Sequence, residues 1–210
     1  KCGIPALLAM LCSACLVVPV GLFNERPYGD ELLAKLLQAE RSQVRRELGV
    51  PVYNDARAIE RSVDKSMTSL LLHAAGIPTP PTWALESAAQ AQQLVMRESA
   101  AGRALVLKPL FGSQGKGLQL VGRVNGVHRP LPRLERAYGG LAYLQRFIPP
   151  LNDPGFDWRV LVIGGRAVTA MRRVSAHWVH NIAQGARCEP APLDAGLARL
   201  AEDAAGTLQM

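Results

Sequence analysis

Glycines and lysines cluster around a predicted turn between two strands. Gly112, Gly115 and Gly117 allow the backbone to turn tightly and to present amide protons to a ligand, and Ser113 and Lys116 can contact phosphate oxygens. The loop is not a Walker A loop, because Lys116 is followed by glycine rather than by Ser or Thr. We predict a phosphate-binding loop, and a flexible glycine hairpin is the alternative.

Lys108 ends an apolar strand just before Pro109, beside this loop. Burial of an unpaired ammonium group costs several kcal/mol, so Lys108 is predicted to meet an anion such as a nucleotide phosphate. A lysine that extends from the strand end into solvent is the alternative.

Asp157 and Arg159 alternate with Trp158 and Val160, which places the two charged side chains on one face of a strand. Both are candidate site residues on this shared face. A cross-strand ion pair of Asp157 with Arg172 or Arg173 is the competing explanation.

Hydrophobic spacing and turn residues predict the elements that position these side chains. Helices are predicted over 30–48, from Asp64 to about 75, over 88–99 after Ser87, and over 193–210. Strands are predicted over 50–53, 104–109, 117–121, 142–148, 158–165 and 166–174, with a hairpin turn at Gly164-Gly165. The prolines of segment 77–83 predict an irregular connection. The pattern indicates an α+β or α/β fold with a largely antiparallel sheet.

The composition narrows the class of ligand and the compartment. The chain has 210 residues, is 49% hydrophobic and carries a net charge of +7. Its basic residues are scattered without interleaved aromatic residues, which favours a nucleotide or phosphate over a nucleic acid. The four cysteines do not form a disulfide framework, so a reducing cytoplasm is expected. Residues 1–30 are predicted to be buried structure rather than a signal or membrane segment.

Five motifs, in order, closely resemble the RimK-like branch of the ATP-grasp superfamily, the α-L-glutamate ligases. The resemblance covers about 50 to 206 and is carried by DKSMTSLLLHAAGIPTPPTW, VLKPLFGSQGKG, YLQRFI, DWRVLVIGGRAV and RRVSAHWVHNIAQGA. Within the branch, the first two motifs are similar to those of enzymes that act on tetrahydromethanopterin-type cofactors.

The resemblance implies an ATP-grasp fold, with antiparallel sheets, flanking helices and a nucleotide held between two lobes. Residues 1–60 would form part of an N-terminal α/β domain and 61–210 the ATP-grasp domain, with a small lobe over about 76–145 and a large lobe from 146. By motif position, the implied ATP-binding residues are Lys65, Lys108, Ser113, Gln114, Gly115, Lys116, Gly117, Gln145, Arg146, Phe147, Ile148 and Asp157. Arg159, Arg172 and Asn181 are the implied catalytic residues.

The resemblance also implies the reaction. ATP, with Mg²⁺, would activate an acceptor carboxylate as an acylphosphate, and the amine of L-glutamate would displace phosphate and leave ADP. The acceptor would be a pterin-type cofactor or a protein tail, and the protein could form a homo-oligomer without nucleic-acid or membrane partners. No metal ligand is assigned, because the family's acidic residues are expected beyond Met210. A truncated, noncatalytic ATP-binding protein is the alternative.

Overall fold

The computed structural model describes residues 40–41, 43–49 and 54–210. Residues 40, 41 and 43–47 are helical, in agreement with the described part of the helix predicted over 30–48. The strand predicted over 50–53 and the segment 1–30 lie outside the described residues, as does most of the predicted N-terminal domain.

Two further helices lie directly before the first sheet, and an aspartate caps each of them. Helix α1 spans Ala56–Val63, with Asp55 accepting a hydrogen bond from the Ala58 amide, and helix α2 spans Lys65–Ala74. Asp64 accepts from the amides of Ser66 and Met67 at the start of α2. The predicted cap of α2 is therefore confirmed, whereas α1 was not predicted.

The first sheet has five antiparallel strands in the order β1-β5-β2-β3-β4. Its strands are β1 (Thr82–Leu85), β2 (Ala104–Lys108), β3 (Gln119–Val124), β4 (Val127–Arg129) and β5 (Ala142–Arg146). The predicted strands that become β2, β3 and β5 are confirmed, although β3 begins two residues later. The prediction that 77–83 is irregular is wrong for its last two residues, because Thr82 and Trp83 belong to β1 and pair with β5.

Helix α3 (Ala88–Ala100) covers one face of this sheet, and a short helix α4 (Glu135–Tyr138) precedes β5. Leu105 and Leu107 of β2, Leu144 of β5 and Val95 of α3 are buried together in the core between helix and sheet. Side chains alternate between the two faces of a strand, so the intervening residues point to the opposite face.

The second sheet is an antiparallel meander of three strands, β6 (Gly155–Ile163), β7 (Arg166–Ser175) and β8 (Arg187–Ala191). A 3₁₀ helix over Ile182–Gln184 lies in the connection from β7 to β8. The predicted hairpin at Gly164-Gly165 is confirmed.

Helix α5 (Ala195–Leu208) packs on both parts of the structure. Leu197 contacts Val160 and Ala170 of the second sheet, while Leu208 packs against Leu72 of α2. Helix α5 therefore fixes α2 relative to the second sheet. Among the described helices, none has the length and apolar character required to cross a membrane.

Candidate functional site

A chain of hydrogen bonds crosses the face of the first sheet that lies opposite α3. Lys108 Nζ donates to Gln145 Oε1 at 2.6 Å, Gln145 Nε2 donates to Thr82 Oγ1 at 3.0 Å, and Thr82 donates to the Pro80 carbonyl at 2.8 Å. Strand pairing places these side chains together, because Gln145 lies opposite both Thr82 and Val106. Lys108 is only 8% exposed. Its charge is thus held in place at the end of β2, with a neutral amide as its hydrogen-bond acceptor.

Helix α2 lies on the same face of the sheet. Tyr143, directly opposite Lys108 in the strand pairing, forms a 2.6 Å hydrogen bond with Ser69 of α2. Lys65, at the first position of α2, donates from Nζ to the carbonyls of Leu110 and Gly112 at 3.0 and 2.9 Å. Lys65 and Lys108 therefore both flank the beginning of the glycine-rich loop, which comprises residues 109–118.

The glycine-rich loop has a defined backbone. Gln114, Gly115 and Gly117 have positive φ angles of 59°, 71° and 70°. Such angles favour glycine, which occupies two of the three positions. The Tyr138 hydroxyl donates to the Gly117 carbonyl at 2.9 Å and anchors the end of the loop. Ser113 is half-buried, whereas Lys116 is exposed at the loop surface. The loop is thus held at both ends, with a lysine on its outer turn.

The tip of the loop contacts the connection that follows β7. A Cβ atom on Gly115 would lie 2.9 Å from Val179 Cγ1 and 3.3 Å from Asn181 Cβ, and Gln184 Nε2 donates to the Gln114 carbonyl at 3.3 Å. These contacts bring the glycine-rich loop of the first sheet against the connection between β7 and β8 of the second sheet.

Arg146 does not point toward Lys108. It adjoins Gln145 on β5, so its side chain lies on the α3 face, where Nε and Nη2 donate to Oε2 of Glu98 at 3.1 and 2.9 Å. Arg103 donates to the same carboxylate at 2.7 Å, and Glu98 is 2% exposed. Arg103, and then Arg146, lower the pKa of Glu98 below its usual range by hydrogen bonding to the charged form, against the opposing effect of burial. The predicted role of Arg146 in binding nucleotide therefore depends on its backbone alone.

The linker from the first sheet to the second begins at Phe147. The amides of Arg146 and Phe147 donate to the carbonyls of Pro81 and Ala104, each at 2.9 Å. Within the described part of the chain, the Ile148 amide has no such partner. The Phe147 ring packs edge-on against Trp178, with ring centroids 6.0 Å apart. The linker thus combines an apolar surface with an available backbone donor.

On the second sheet, the charged residues of β6 and β7 meet across one face. Asp157 lies directly opposite Arg173, which donates to it from Nε at 2.8 Å and from Nη2, and Arg159 Nη2 lies 3.5 Å from the same carboxylate. Arg173 is 8% exposed. Of the two partners considered from the sequence for Asp157, Arg173 is the one observed.

The register of this hairpin explains which arginine reaches Asp157. The pairing shifts by one residue between Leu161 and Val162, so Val168 is left without a partner in the ladder. A hairpin without this bulge would place Arg172 opposite Asp157, because a one-residue slip moves side chains to the other face.

Arg172, predicted to be catalytic, lies on the face of the second sheet that packs on α5. Its guanidinium group stacks over Phe156 at 5.0 Å and lies 3.5 Å from Glu189. Its Nε atom is buried without a hydrogen-bond partner among the described residues. The structure therefore separates Arg172 from Arg159, and it places Arg173 beside Arg159 instead.

Asn181 begins the 3₁₀ helix, where its Oδ1 accepts a hydrogen bond from the Ala183 amide at 2.9 Å. The preceding residue, His180, lies against Gly155, where an added Cβ atom would be 2.8 Å from His180 Nε2. Burial lowers the pKa of the His180 imidazole, so this side chain is neutral at neutral pH. Asn181 is thereby fixed next to the tip of the glycine-rich loop.

No group of three or more His, Cys, Asp or Glu side chains suited to a metal ion occurs among the residues that the structure describes. The described residues therefore do not supply such a ligand group for the predicted Mg²⁺ ion. Lysine and arginine side chains dominate the two charged faces, and such side chains bind phosphate and carboxylate groups.

The structure brings the predicted residues together in two groups. Lys65, Lys108, Gln145 and the glycine-rich loop form one, and Asp157, Arg159 and Asn181 lie with the second sheet and the connection that follows it. Sequence reasoning missed Thr82 and Tyr143, whose hydrogen bonds fix Gln145 and α2. Of the two adjacent arginines that the resemblance places near the substrate or the transferring phosphate, Arg172 and Arg173, it counted only Arg172 as catalytic.

Residues 62–210 match the family described as the RimK-like ATP-grasp domain. The chain is 34% identical over 161 residues to the tetrahydromethanopterin:α-L-glutamate ligase of Methanococcus maripaludis. The aligned region covers 75% of this chain and 54% of that relative. The chain is 30% identical over 159 residues to the α-aminoadipate–LysW ligase LysX of Saccharolobus solfataricus, with 74% of this chain and 56% of that one covered. The chain spans about half the length of these curated relatives.

The fold is similar to a solved structure of the ATP-grasp ligase PsnB, complexed with a phosphomimetic variant of its minimal precursor, Mg and ADP. The TM-score is 0.58 at 21% identity, and the similarity covers 86% of this chain and 54% of that one. The predicted fold class, two antiparallel sheets with flanking helices, is confirmed.

Proposed function

This chain belongs to the RimK-like ATP-grasp family, and on that basis we propose that the protein is an ATP-dependent carboxylate–amine ligase. The observation that carries the proposal is the buried Lys108, held by Gln145 at the end of β2 where the glycine-rich loop begins. A fixed, dehydrated positive charge beside a glycine-rich turn is suited to the phosphates of ATP.

We assign the nucleotide to the Lys108 face of the first sheet. The phosphates would lie among Lys108, Lys65 and the amides of the glycine-rich loop, because these groups supply positive charge on neighbouring elements. Adenine would contact Phe147 and the Ile148 amide, since a base needs an apolar slot with few polar contacts. Binding would require Lys65 to exchange a loop carbonyl for a phosphate oxygen.

The proposed reaction has two steps. An oxygen of the acceptor carboxylate attacks the γ-phosphorus of ATP, the bond to the β–γ bridging oxygen breaks, and an acylphosphate and ADP result. The amine of L-glutamate then attacks the acyl carbon, phosphate leaves with the electron pair of the broken C–O bond, and the amine loses a proton. The residues contribute positioning and charge neutralisation, which are the main requirements of phosphoryl transfer.

The second sheet supplies the positive charge opposite the nucleotide phosphates in this proposal. Arg159 and Arg173 share one face with Asp157, which holds Arg173 by two hydrogen bonds and thereby fixes the direction of its guanidinium group. We assign Arg159 and Arg173 to the acceptor carboxylate and the transferring phosphoryl group, and Asn181 to the substrate next to them.

Glutamate is the proposed amine, and the acceptor is a pterin-type cofactor or a protein tail. The names of two relatives support these classes, since one is a tetrahydromethanopterin:α-L-glutamate ligase and the other joins α-aminoadipate to LysW. The proposed use of ATP and the lack of a disulfide framework in the cysteine spacing make the cytoplasm the proposed compartment. The described residues contain no group of three or more His, Cys, Asp or Glu side chains suited to a metal ion, and no step is assigned to Mg²⁺ here.

The test is a product assay of the full-length protein with ATP, L-glutamate, Mg²⁺ and candidate acceptors. ADP and phosphate should form in equal amounts, and only when a carboxylate acceptor is present. Formation of AMP and pyrophosphate would reject the acylphosphate route. Lys108→Met, which removes the charge and keeps an apolar stem, should abolish ATP binding in calorimetry.

A further inference from the structure

Residues 178–184, which we call the seat, contact two parts of the proposed nucleotide site, the linker and the glycine-rich loop. Trp178 packs edge-on against Phe147 of the linker, Val179 and Asn181 lie against Gly115, and Gln184 donates to the Gln114 carbonyl. The seat therefore joins the adenine side of the site to the tip of the glycine-rich loop.

The seat is itself rigidly held. His180 lies against Gly155, the Asn181 side chain accepts from the Ala183 amide, and the Asn181 carbonyl accepts from the amides of Gln184 and Ala186 at 2.9 and 3.2 Å. These hydrogen bonds define the backbone of the seat, so the loop meets a support of defined shape.

The loop side of the contact depends on a missing side chain. Gly115 has a φ of 71°, and a Cβ atom there would lie 2.9 Å from Val179 Cγ1, closer than nonbonded carbon atoms approach. The Val179 side chain thus fills the space that Gly115 leaves, while Gln184 binds the neighbouring carbonyl. The two contacts hold adjacent residues of the loop and define its position by shape and by hydrogen bonding.

We propose that Val179 and Gln184 are positioning residues that hold the glycine-rich loop closed over the nucleotide, and that they link its closure to the substrate held by Asn181. The inference rests on the proposed function, because it takes the nucleotide to lie under this loop. It goes further in assigning the closed position to side chains outside the loop. Since Asn181 lies between the two positioning residues, a substrate that fixes Asn181 also stabilises the closed loop.

Cleavage of the Lys116–Gly117 bond by trypsin provides a direct measurement. The protease binds its substrate as an extended backbone, whereas Gly115 and Gly117 of the seated loop have φ angles of 71° and 70°. Cleavage follows the population of the open loop when opening is fast. The comparison uses full-length wild type, Gln184→Glu, Val179→Ala and the control Gln93→Ala, which changes an exposed glutamine on α3. Glu has nearly the size of Gln but cannot donate to the Gln114 carbonyl.

Loss of one hydrogen bond should raise the cleavage rate at Lys116 about fivefold in Gln184→Glu. Val179→Ala should raise it similarly, and Gln93→Ala should match wild type. ATP should protect wild type strongly and the two seat variants weakly, with a higher KM for ATP and a smaller change in kcat. Gln184→Asn, which keeps an amide donor on a shorter side chain and adds no trypsin site, should retain more of the protection than Gln184→Glu.

Equal cleavage of wild type and both seat variants would overturn the proposed seat. Faster cleavage of both seat variants, combined with no effect of ATP on any of the proteins, would instead reject nucleotide binding and leave the contact between seat and loop established. The two failures are therefore distinguished in one experiment.

Discussion

The ammonium group of Lys108 lies 2.6 Å from Oε1 of Gln145, and both side chains are buried on the face of the first sheet opposite α3. The two residues lie on neighbouring strands, and Gln145 is held in turn by Thr82 of β1. The position of the charge is thus set by three strands of one sheet rather than by a flexible surface side chain.

Substitutions of Gln145 should separate stability from nucleotide binding. Gln145→Met removes the acceptor of a buried ammonium group and should lower the free energy of unfolding by about 1–3 kcal/mol. Gln145→Glu keeps the hydrogen bond from Lys108 and neutralises its charge but loses the bond from Nε2 to Thr82, so it should destabilise the fold less than Gln145→Met and weaken ATP binding about tenfold or more. Urea denaturation and calorimetry measure the two quantities. Equal ATP affinity in Gln145→Glu and wild type would contradict the assignment of the phosphates to Lys108.

Glu98 should be one of the residues on which stability depends most. Glu98→Ala leaves Arg103 and Arg146 without their shared carboxylate, and because both guanidinium groups reach solvent it should cost about 1–3 kcal/mol, the usual effect of losing hydrogen bonds to a charged group. The exposed Glu86, changed to Ala, is the control and should shift the urea midpoint little. A Glu98→Ala protein as stable as the control would show that the cluster contributes no net stability.

The same carboxylate should make stability depend on pH. Its pKa is lowered in the folded state by Arg103 and Arg146, so the unfolded chain binds more protons there at acidic pH. The stabilisation is fully present above the unfolded pKa of about 4.3 and is lost as pH falls through the lower folded value. Urea denaturation between pH 6 and pH 3 should show this loss in wild type, and Glu98→Gln should reduce the slope. Parallel curves for the two proteins would refute the prediction.

Arg173 should matter more for turnover than Arg172. Arg173 shares a face with Asp157 and Arg159, whereas Arg172 lies over Phe156 on the other face of the sheet. Arg173→Lys should lower kcat roughly 100-fold, as removal of a group that stabilises transition-state charge does. Arg172→Lys is the matched control and should stay within about threefold. The reverse order would restore Arg172 as the catalytic member of the pair.

Gly115 should tolerate a side chain only when Val179 is made smaller. Gly115→Ala adds the strain of a positive φ and a contact with Val179, and it should weaken ATP binding about tenfold. Gly126→Ala carries the same type of strain, with a φ of 81° and no atom within 4 Å, so it should reduce stability but not ATP affinity. The double variant Gly115→Ala, Val179→Ala should recover part of the binding. Absence of any recovery would place the effect in backbone strain alone.

The sequence was sufficient to predict the helices α2, α3 and α5 and the antiparallel hairpins, because each has a clear hydrophobic period bounded by caps or glycines. The short elements α4, β4 and β8 were missed, since three to five residues give too few repeats to define a period. The proline-rich segment hid β1, an edge strand that begins directly after its last proline, where proline is tolerated.

The partners of the charged side chains were harder to predict from the sequence. Motifs located Asp157 and Lys108, but the partner of Asp157 depended on a bulge at Val168 that no spacing rule signals. Arg146 was assigned with its neighbours in the motif, although alternation along β5 turns its side chain toward Glu98. Register and strand parity are properties of the assembled sheet, so the side-chain partners required the structure.

Gln145 and Arg146 are adjacent on β5, yet one contacts Lys108 and the other contacts the Glu98 cluster under α3. The two surfaces of a single strand can therefore accumulate changes at different rates. Heat tolerance could be improved by redesign beneath α3, for instance around Arg103, while the ligand preferences of the opposite surface are left intact.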